Sequence, residues 1–384
     1  MAYEFADRLK NIPPYIFAQI EERVERKKAE GVDVIDFGVG DPDLPTPKPI
    51  VDEIKKQLDD PDNHRYPSST GERDARVAVA EWYARRFGVE LNPDREVVIL
   101  LGSKEGLANI ARAFINPGDK VLCPDPAYPV YAQGATMLCD AQPAKFPLYA
   151  GDDFLPDIDS LPQDAKMLYL NYPNNPTGAV ATPGFLKKAM KWCADTKTIM
   201  CYDAPYSEMT FDDYVAPSIL EFGRQAVEFG SLSKTFNMTG YRIGYAVGDA
   251  NLITGLKKIK TQIDSGAPKF IQKAMPVALG EYKGRKRPQM VQDCVDVYEA
   301  RRNVMVKGLR KLGFDVKMPK GTFYLFFDVG GSEAEFSNKM LDAGVVVTPG
   351  GGYGKNGEGF VRMALTQPKE RIEEALERMR KVLV

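Results

Sequence analysis

A lysine, two serines and an arginine stand close together in Ser231-Leu-Ser-Lys-Thr-Phe-Asn-Met-Thr-Gly-Tyr-Arg242. Ser231 and Ser233 precede Lys234, and Arg242 follows it by eight residues. Serine hydroxyls and a guanidinium bind a phosphate dianion well, the guanidinium through two parallel hydrogen bonds. A cation near a lysine lowers its pKa and uncovers the lone pair, so the amine can attack an aldehyde. The set suits a phosphate-bearing aldehyde held covalently on Lys234. Taken alone, Ser-x-Ser-Lys also fits a plain turn between two strands, with Lys234 and Arg242 as surface charges.

The other loops favour the chemistry. In an open parallel sheet, ligands bind beyond the carboxyl ends of the strands. After the apolar run 97–101 comes Gly102-Ser-Lys-Glu-Gly106, opening a helix whose free amides and Ser103 hydroxyl can cradle an anion. It could equally be a generic helix start. After 166–171 comes Asn171-Tyr-Pro-Asn-Asn-Pro-Thr-Gly178, a turn stiffened by two prolines, where Asn175 can offer its amide to a fixed acceptor. After 198–202 comes Asp203-Ala-Pro-Tyr206. An aspartate half-buried there needs a cationic partner, unless it simply caps a helix. A protonated pyridine nitrogen is such a partner, and Tyr206 can reach the same ring oxygen as Asn175. Tyr128, in Asp125-Pro-Ala-Tyr-Pro-Val-Tyr131, offers a ring face for stacking or for core packing. A phosphate cradle, a ring-oxygen donor, a ring-nitrogen acid and a Schiff-base lysine together match pyridoxal 5'-phosphate (PLP).

The bulk numbers exclude other classes. The 384 residues are 44% apolar and 27% charged, ordinary for a globular protein, and 51 basic against 53 acidic residues leave a net charge of -2. That balance recommends neither nucleic acid nor an anionic membrane as partner. The opening Met1-Ala-Tyr-Glu-Phe-Ala-Asp-Arg lacks the apolar core of a signal peptide, and no apolar run approaches the roughly 20 residues that span a bilayer. A cytoplasmic protein is expected. Five cysteines without a Cys-x-x-Cys pair read as reduced, mostly buried thiols. One histidine, His64 in a polar loop, is poor material for a metal site or a Ser-His-Asp triad. No metal is expected. Acid–base work falls to lysine, tyrosine or carboxylates.

Short apolar runs alternate with amphipathic stretches, which predicts an α/β fold. Strands are expected at 97–101, 120–123, 166–171, 198–202, 227–230 and 243–247, then 313–317, 322–328, 345–348 and 360–364. Helices are expected at 47–59, 72–87, 104–115, 183–195, 250–262, 268–283, 285–312, 333–343 and 369–383. Residues 41–280 should form a large domain on a mostly parallel sheet, with 1–40 and 281–384 making a smaller α+β domain. The glycine-rich run 349–359 leads into a strand rather than a helix, so a mobile turn is expected there instead of a phosphate loop.

These residues resemble the class I/II superfamily of fold-type I PLP-dependent aminotransferases over nearly the whole chain. The resemblance rests on Gly40, Tyr66, Ser103, Tyr128, the Asn-Asn-Pro-Thr-Gly run 174–178, Asp203, Tyr206, Ser231, Lys234 and Arg242. It closes with Arg362 in Phe360-Val-Arg-Met-Ala-Leu365. It implies that Arg362 takes the substrate α-carboxylate. It also implies a homodimer in which Tyr66 reaches the phosphate across the interface. Within the superfamily the chain is most similar to the LL-diaminopimelate aminotransferase family, through 37–47, Tyr66-Pro-Ser-Ser, Gly102-Ser-Lys-Glu-Gly, 231–240 and Ile263-Asp-Ser-Gly266. That likeness implies substrate contacts from Tyr15, Gly40, Lys104, Tyr128, Asn175 and Arg362, and cofactor contacts that include Lys104 and Ser233. One departure is Lys269, where some members place an asparagine near the substrate. The implied reaction is transamination of LL-diaminopimelate, in lysine biosynthesis, with 2-oxoglutarate as acceptor. Lys234 serves as both anchor and proton carrier, and Asp203 keeps the ring nitrogen protonated. Aminotransferases for aspartate, alanine or aromatic amino acids, and a PLP-dependent C–S lyase, share most of the motifs.

Overall fold

The computed structural model describes residues 3–14 and 16–383, with side chains for all of these but 16–20. Seven strands form its main sheet, in the order Val97–Leu100, Gly244–Gly248, Ala226–Ser231, Ile199–Asp203, Met167–Asn171, Lys120–Asp125, Gln142–Pro147. Gly244–Gly248 runs antiparallel to both neighbours, and the rest of the sheet is parallel. The near-continuous apolar runs follow from this, since strands covered on both faces have no polar side to show. All residues of Val97–Leu100 and Met167–Asn171 are buried. Helices such as Arg73–Phe87, Ser103–Phe114 and Pro183–Thr196 supply that cover.

Two smaller sheets lie outside this frame. Thr348–Pro349, Phe360–Ala364 and Tyr324–Asp328 make an antiparallel ribbon. Ile35–Asp36 pairs in parallel with Val345–Val346, so the start of the chain is stitched to its last third.

Most expected elements are present within a residue or two, and the departures have local causes. The expected helix 268–283 is two pieces, Lys269–Gln272 and Met275–Gly280. Pro276, second in the later piece, has no N–H to carry a longer helix through. The expected strand 313–317 has no strand partner among the described residues, because the Arg310 guanidinium takes the Val316 carbonyl. Gln142–Pro147 went unread: it is an edge strand with two prolines, mostly outward-facing. The helix Ile16–Ala29 also went unread. The glycine-rich run is packed down rather than loose. The Tyr353 carbonyl accepts from Ala127 N, and Asn356 N donates to the buried Asp125.

All five cysteines are free thiols, four of them buried. Among the described residues no helix is long and apolar enough to cross a membrane.

One buried ion pair ties helix Arg73–Phe87 to the turn beyond Ile199–Asp203. Arg86 and Glu208, with side chains 1% and 2% exposed, meet at 2.8 Å. Stranding one partner of such a pair costs about 3–5 kcal/mol, whereas an exposed pair contributes about 0–1 kcal/mol. Glu208→Ala should therefore lower the denaturant midpoint strongly. Lys191→Ala, which breaks the surface pair with Asp195, should barely move it.

Candidate active site

Asn171 and Asp203 are register partners at the carboxyl ends of adjacent parallel strands. Asp203 in turn pairs with Phe229 of the next strand, which ends at Ser231. Asn171 Nδ2 donates to the Asp203 carbonyl at 2.7 Å, and its Oδ1 accepts from Asn175 N at 2.8 Å. Asn174 closes the turn on itself, accepting from Thr177 through Oδ1. The Asn-Asn-Pro-Thr-Gly run is thus held rigid by its own side chains.

These strand ends open into a cleft of about 280 Å³. Lys234, Asp203, Tyr206 and Asn175 line it, as do Ser103, Lys104, Ser231, Ser233 and Arg242. Tyr128, Gly40 and Arg362 complete the expected residues it brings together. Tyr66 does not line it; that side chain is 85% exposed on the outside of the chain. Tyr15 lies outside the described residues. Lys269 is also elsewhere, donating to the Asp62 carbonyl at 3.2 Å.

Asp203 is 3% exposed, deeper than the half-buried position its sequence context suggests. Burial pushes its carboxyl up to about 7, and a hydrogen bond from Tyr131 pulls the other way. Tyr131 Oη donates to Oδ2 at 2.6 Å. The other oxygen, Oδ1, is buried without a hydrogen-bond partner among the described residues. An orphaned acceptor of this kind is costly unless a donor arrives.

Lys234 Nζ donates to the Gly40 carbonyl at 3.1 Å. Burial lowers its pKa to about 8; Asp41 opposes this, and Arg362 and Arg242 add to it. The sequence suggested that a neighbouring cation would be the main cause, but desolvation is the larger one.

Ser103 begins helix Ser103–Phe114, whose first amides have no intrahelical acceptor. Gly102 before it has φ +83°, and a Cβ there would lie 2.7 Å from Arg242 Nη2. Only glycine leaves room for that guanidinium beside the helix start. Ser231 Oγ caps the short turn Leu232–Thr235 by accepting from Ser233 N. Lys104 Nζ lies 5.7 Å from the centre of the Tyr128 ring.

The opposite wall comes from the smaller sheets. Arg362, 1% exposed, donates to Asn175 Oδ1 at 3.0 Å and to the Gly38 carbonyl at 2.5 Å. Because Asn175 accepts with its oxygen, its NH2 remains as the donor end of the amide. Tyr206 and Tyr324 share a hydrogen bond at 3.1 Å. Tyr324 also lies under the Arg362 guanidinium, 4.3 Å from ring centre to Cζ. A Cβ on Gly40 would sit 2.0 Å from the Tyr324 hydroxyl.

Sequence reasoning did not pick out Tyr131 or Tyr324. Tyr131 had a signal, since it follows Tyr128 by three residues and such pairs face one way on a helical turn. Tyr324 sits in an ordinary apolar strand and had none.

The residues fit PLP. The orphaned Asp203 oxygen suits a ring N–H, and the depressed Lys234 amine suits an aldehyde. The Gly102 and Arg242 corner with its serines suits a phosphate. Among the described residues no cluster of histidine, cysteine and carboxylates could hold a metal ion.

Comparison with known proteins agrees. The aminotransferase class I and II family matches residues 32–379. The chain belongs to that family. Its members are PLP-dependent enzymes, so this chain is an aminotransferase on a fold-type I scaffold. It is 49% identical to an LL-diaminopimelate aminotransferase of Aquifex aeolicus, over 98% of this chain and 99% of the relative. It is 47% identical to another of the same name from Desulforudis audaxviator, covering 99% and 98%. Among solved structures, apo-BacF from Bacillus subtilis superposes with a TM-score of 0.94 at 32% identity, over 100% and 99% of the two chains.

The depressed Lys234 pKa can be checked directly. In cofactor-free protein, acylation of Lys234 should rise about tenfold per pH unit and level off near pH 8. Exposed lysines should keep rising toward pH 10. A Lys234 profile that tracks theirs would contradict the assigned environment.

Proposed function

We propose that this aminotransferase takes the amino group of LL-diaminopimelate and passes it to a 2-oxo acid, with 2-oxoglutarate as acceptor. The observation that carries the reading is the convergence of Lys234, Asp203, Asn175, Arg242 and Arg362 on one cleft. The names of the full-length relatives support the substrate.

When bound, PLP supplies an aldehyde that captures the donor amine and a ring that draws electrons from Cα. The chain's own residues do the rest. Lys234 would anchor the cofactor, and its neutral Nζ would carry the Cα proton. Asp203 Oδ1 holds a proton at the ring nitrogen. Tyr206 and the Asn175 amide donate to the ring oxygen, and Tyr128 offers its face to the ring. Ser103, Ser231, Ser233 and Arg242, with the amides at the helix start, hold the phosphate, and the Lys104 backbone belongs to that loop. Arg362 receives the α-carboxylate, already oriented by Asn175 and Gly38. Exposed Lys104, at the rim near Tyr128, is placed to meet a distal carboxylate. Gly40 and Tyr15 complete the substrate contacts in this reading.

We further propose a homodimer. The exposed Tyr66, which does not line its own cleft, would serve the site of a second copy. We also read residues 41–280 as a large domain and 1–40 with 281–384 as a small one; the presence of one seven-stranded sheet and two small sheets supports that reading. Five free thiols accord with a cytoplasmic setting.

Borohydride treatment of the PLP-loaded protein should fix the label on Lys234. Half-reactions without acceptor, run with LL-diaminopimelate, glutamate, aspartate, alanine and phenylalanine, should be fastest per unit concentration with LL-diaminopimelate. Pyruvate and ammonia released without any oxo acid would indicate a lyase instead.

Lys104→Ala tests the distal contact. Losing a charge-assisted hydrogen bond is worth about 1.5–3 kcal/mol, roughly 10- to 150-fold in kcat/KM. The loss should fall on LL-diaminopimelate and glutamate and spare alanine. Equal small losses on every donor would mark Lys104 as a solvated lysine at a helix start.

A further inference from the structure

Asp203 has two carboxylate oxygens in unlike surroundings. Oδ2 accepts from the Tyr131 hydroxyl at 2.6 Å, and Oδ1 has no partner among the described residues. The backbone end of the same residue is pinned by Asn171 through its carbonyl. Tyr131 itself is immobilised from three sides. Its ring stacks on Tyr169 at 5.1 Å and 18°, and it meets Tyr128 edge-on at 6.0 Å. Its carbonyl accepts from Thr136 within the helical turn Val130–Thr136. The residue is 1% exposed, so its hydroxyl is shielded from bulk water.

We propose that Tyr131 is a positioning residue that sets both the orientation and the charge of Asp203, leaving Oδ1 as the acceptor for a pyridinium nitrogen. The inference rests on the reading of this cleft as a PLP site. The rotation of a carboxylate buried at the floor of a cleft is decided by whichever oxygen is already bonded. With Oδ2 fixed, Oδ1 is the oxygen left to serve the cleft. A hydrogen bond donated to the charged form also favours that form.

The groups facing Asp203 leave Tyr131 alone in this task. Tyr169, Tyr202 and Tyr206 lie near it on the neighbouring strand, its own strand and the following turn. Burial keeps all three phenols, and Tyr131, neutral far above ordinary pH. Their hydroxyls are directed elsewhere: Tyr169 to the Leu107 carbonyl, Tyr202 to the Tyr172 carbonyl and Tyr206 to Tyr324. Among the described residues, Tyr131 gives the one side-chain hydrogen bond that lowers the Asp203 pKa.

The test uses protein loaded with PLP carrying 15N in its ring. Tyr131→Phe keeps the stack and removes the hydroxyl. Its ring-nitrogen resonance should move from the protonated toward the neutral position at a pH where the wild type stays protonated. The half-reaction kcat should fall about 10- to 150-fold, the range for a lost hydrogen bond to a charge. KM for the amino donor should stay nearly constant. Replacing Tyr131 with 4-aminophenylalanine returns a donor to the same point and should restore the protonated signal. Tyr169→Phe, which removes a hydroxyl of equal depth that does not touch Asp203, should leave it unchanged. A wild-type-like spectrum in Tyr131→Phe, or an equal shift in Tyr169→Phe, would overturn the proposal. If PLP does not label Lys234 in the unaltered protein, the site reading itself falls and this inference falls with it.

Discussion

An aspartate at the end of a central parallel strand, 3% exposed and with one oxygen unsatisfied among the described residues, is the constraint on which this site depends. A carboxylate so placed is expensive to desolvate and gains most from a fixed donor. The surrounding structure is arranged around that need. Asn171 joins the Asp203 carbonyl to the Asn175 turn, so Asp203 and Asn175 are set relative to each other. The sheet frame supplies the rest, because neighbouring parallel strands end side by side and deliver Asn171, Asp203 and Ser231 to one edge.

The opposite wall is assembled from distant parts of the chain. Arg362 sits on Phe360–Ala364, paired opposite Phe326 and Thr348. Its hydrogen bonds reach Asn175 on the large sheet and Gly38 near the start of the chain. The segment carrying Gly38 and Gly40 is held by further contacts of the same long range. Thr348 bonds the Gly38 carbonyl, Thr366 the Val39 carbonyl, and Arg301 grips Asp43 through both oxygens. These links hold Arg362 and the Lys234 amine in one narrow cleft. A small misplacement across such a space is costly in rate, since reacting groups must approach within about 3–3.5 Å.

Much of this could be read beforehand. The central strands announced themselves as short apolar runs, and the loops after four of them carried the polar groups that meet in the cleft. What resisted reading had different physical character. Gln142–Pro147 is an outward-facing edge, so its sequence lacks the apolar signature of its neighbours. Residues 313–317 have the alternation of a strand, yet the Arg310 guanidinium satisfies the Val316 carbonyl and no strand joins them. The glycine-rich run looked loose because glycine is permissive, whereas its packing comes from Asp125 and Ala127, more than two hundred residues earlier.

The amino-acid order by itself determined which groups can do chemistry: an amine, a carboxylate, two arginines and a set of hydroxyls, most of them in or next to the loops that follow the strands. Local rules suffice there, because strand periodicity, helix starts and proline turns depend on neighbours in sequence. Tertiary structure decided how those groups behave. Desolvation, not a neighbouring cation, became the larger cause of the Lys234 shift, and Asp203 was carried deeper than its context implied. Tyr131 became the partner of Asp203 across 72 residues of chain. Burial and long-range hydrogen bonding depend on what other segments fill the space around a residue, and no window of sequence contains that information.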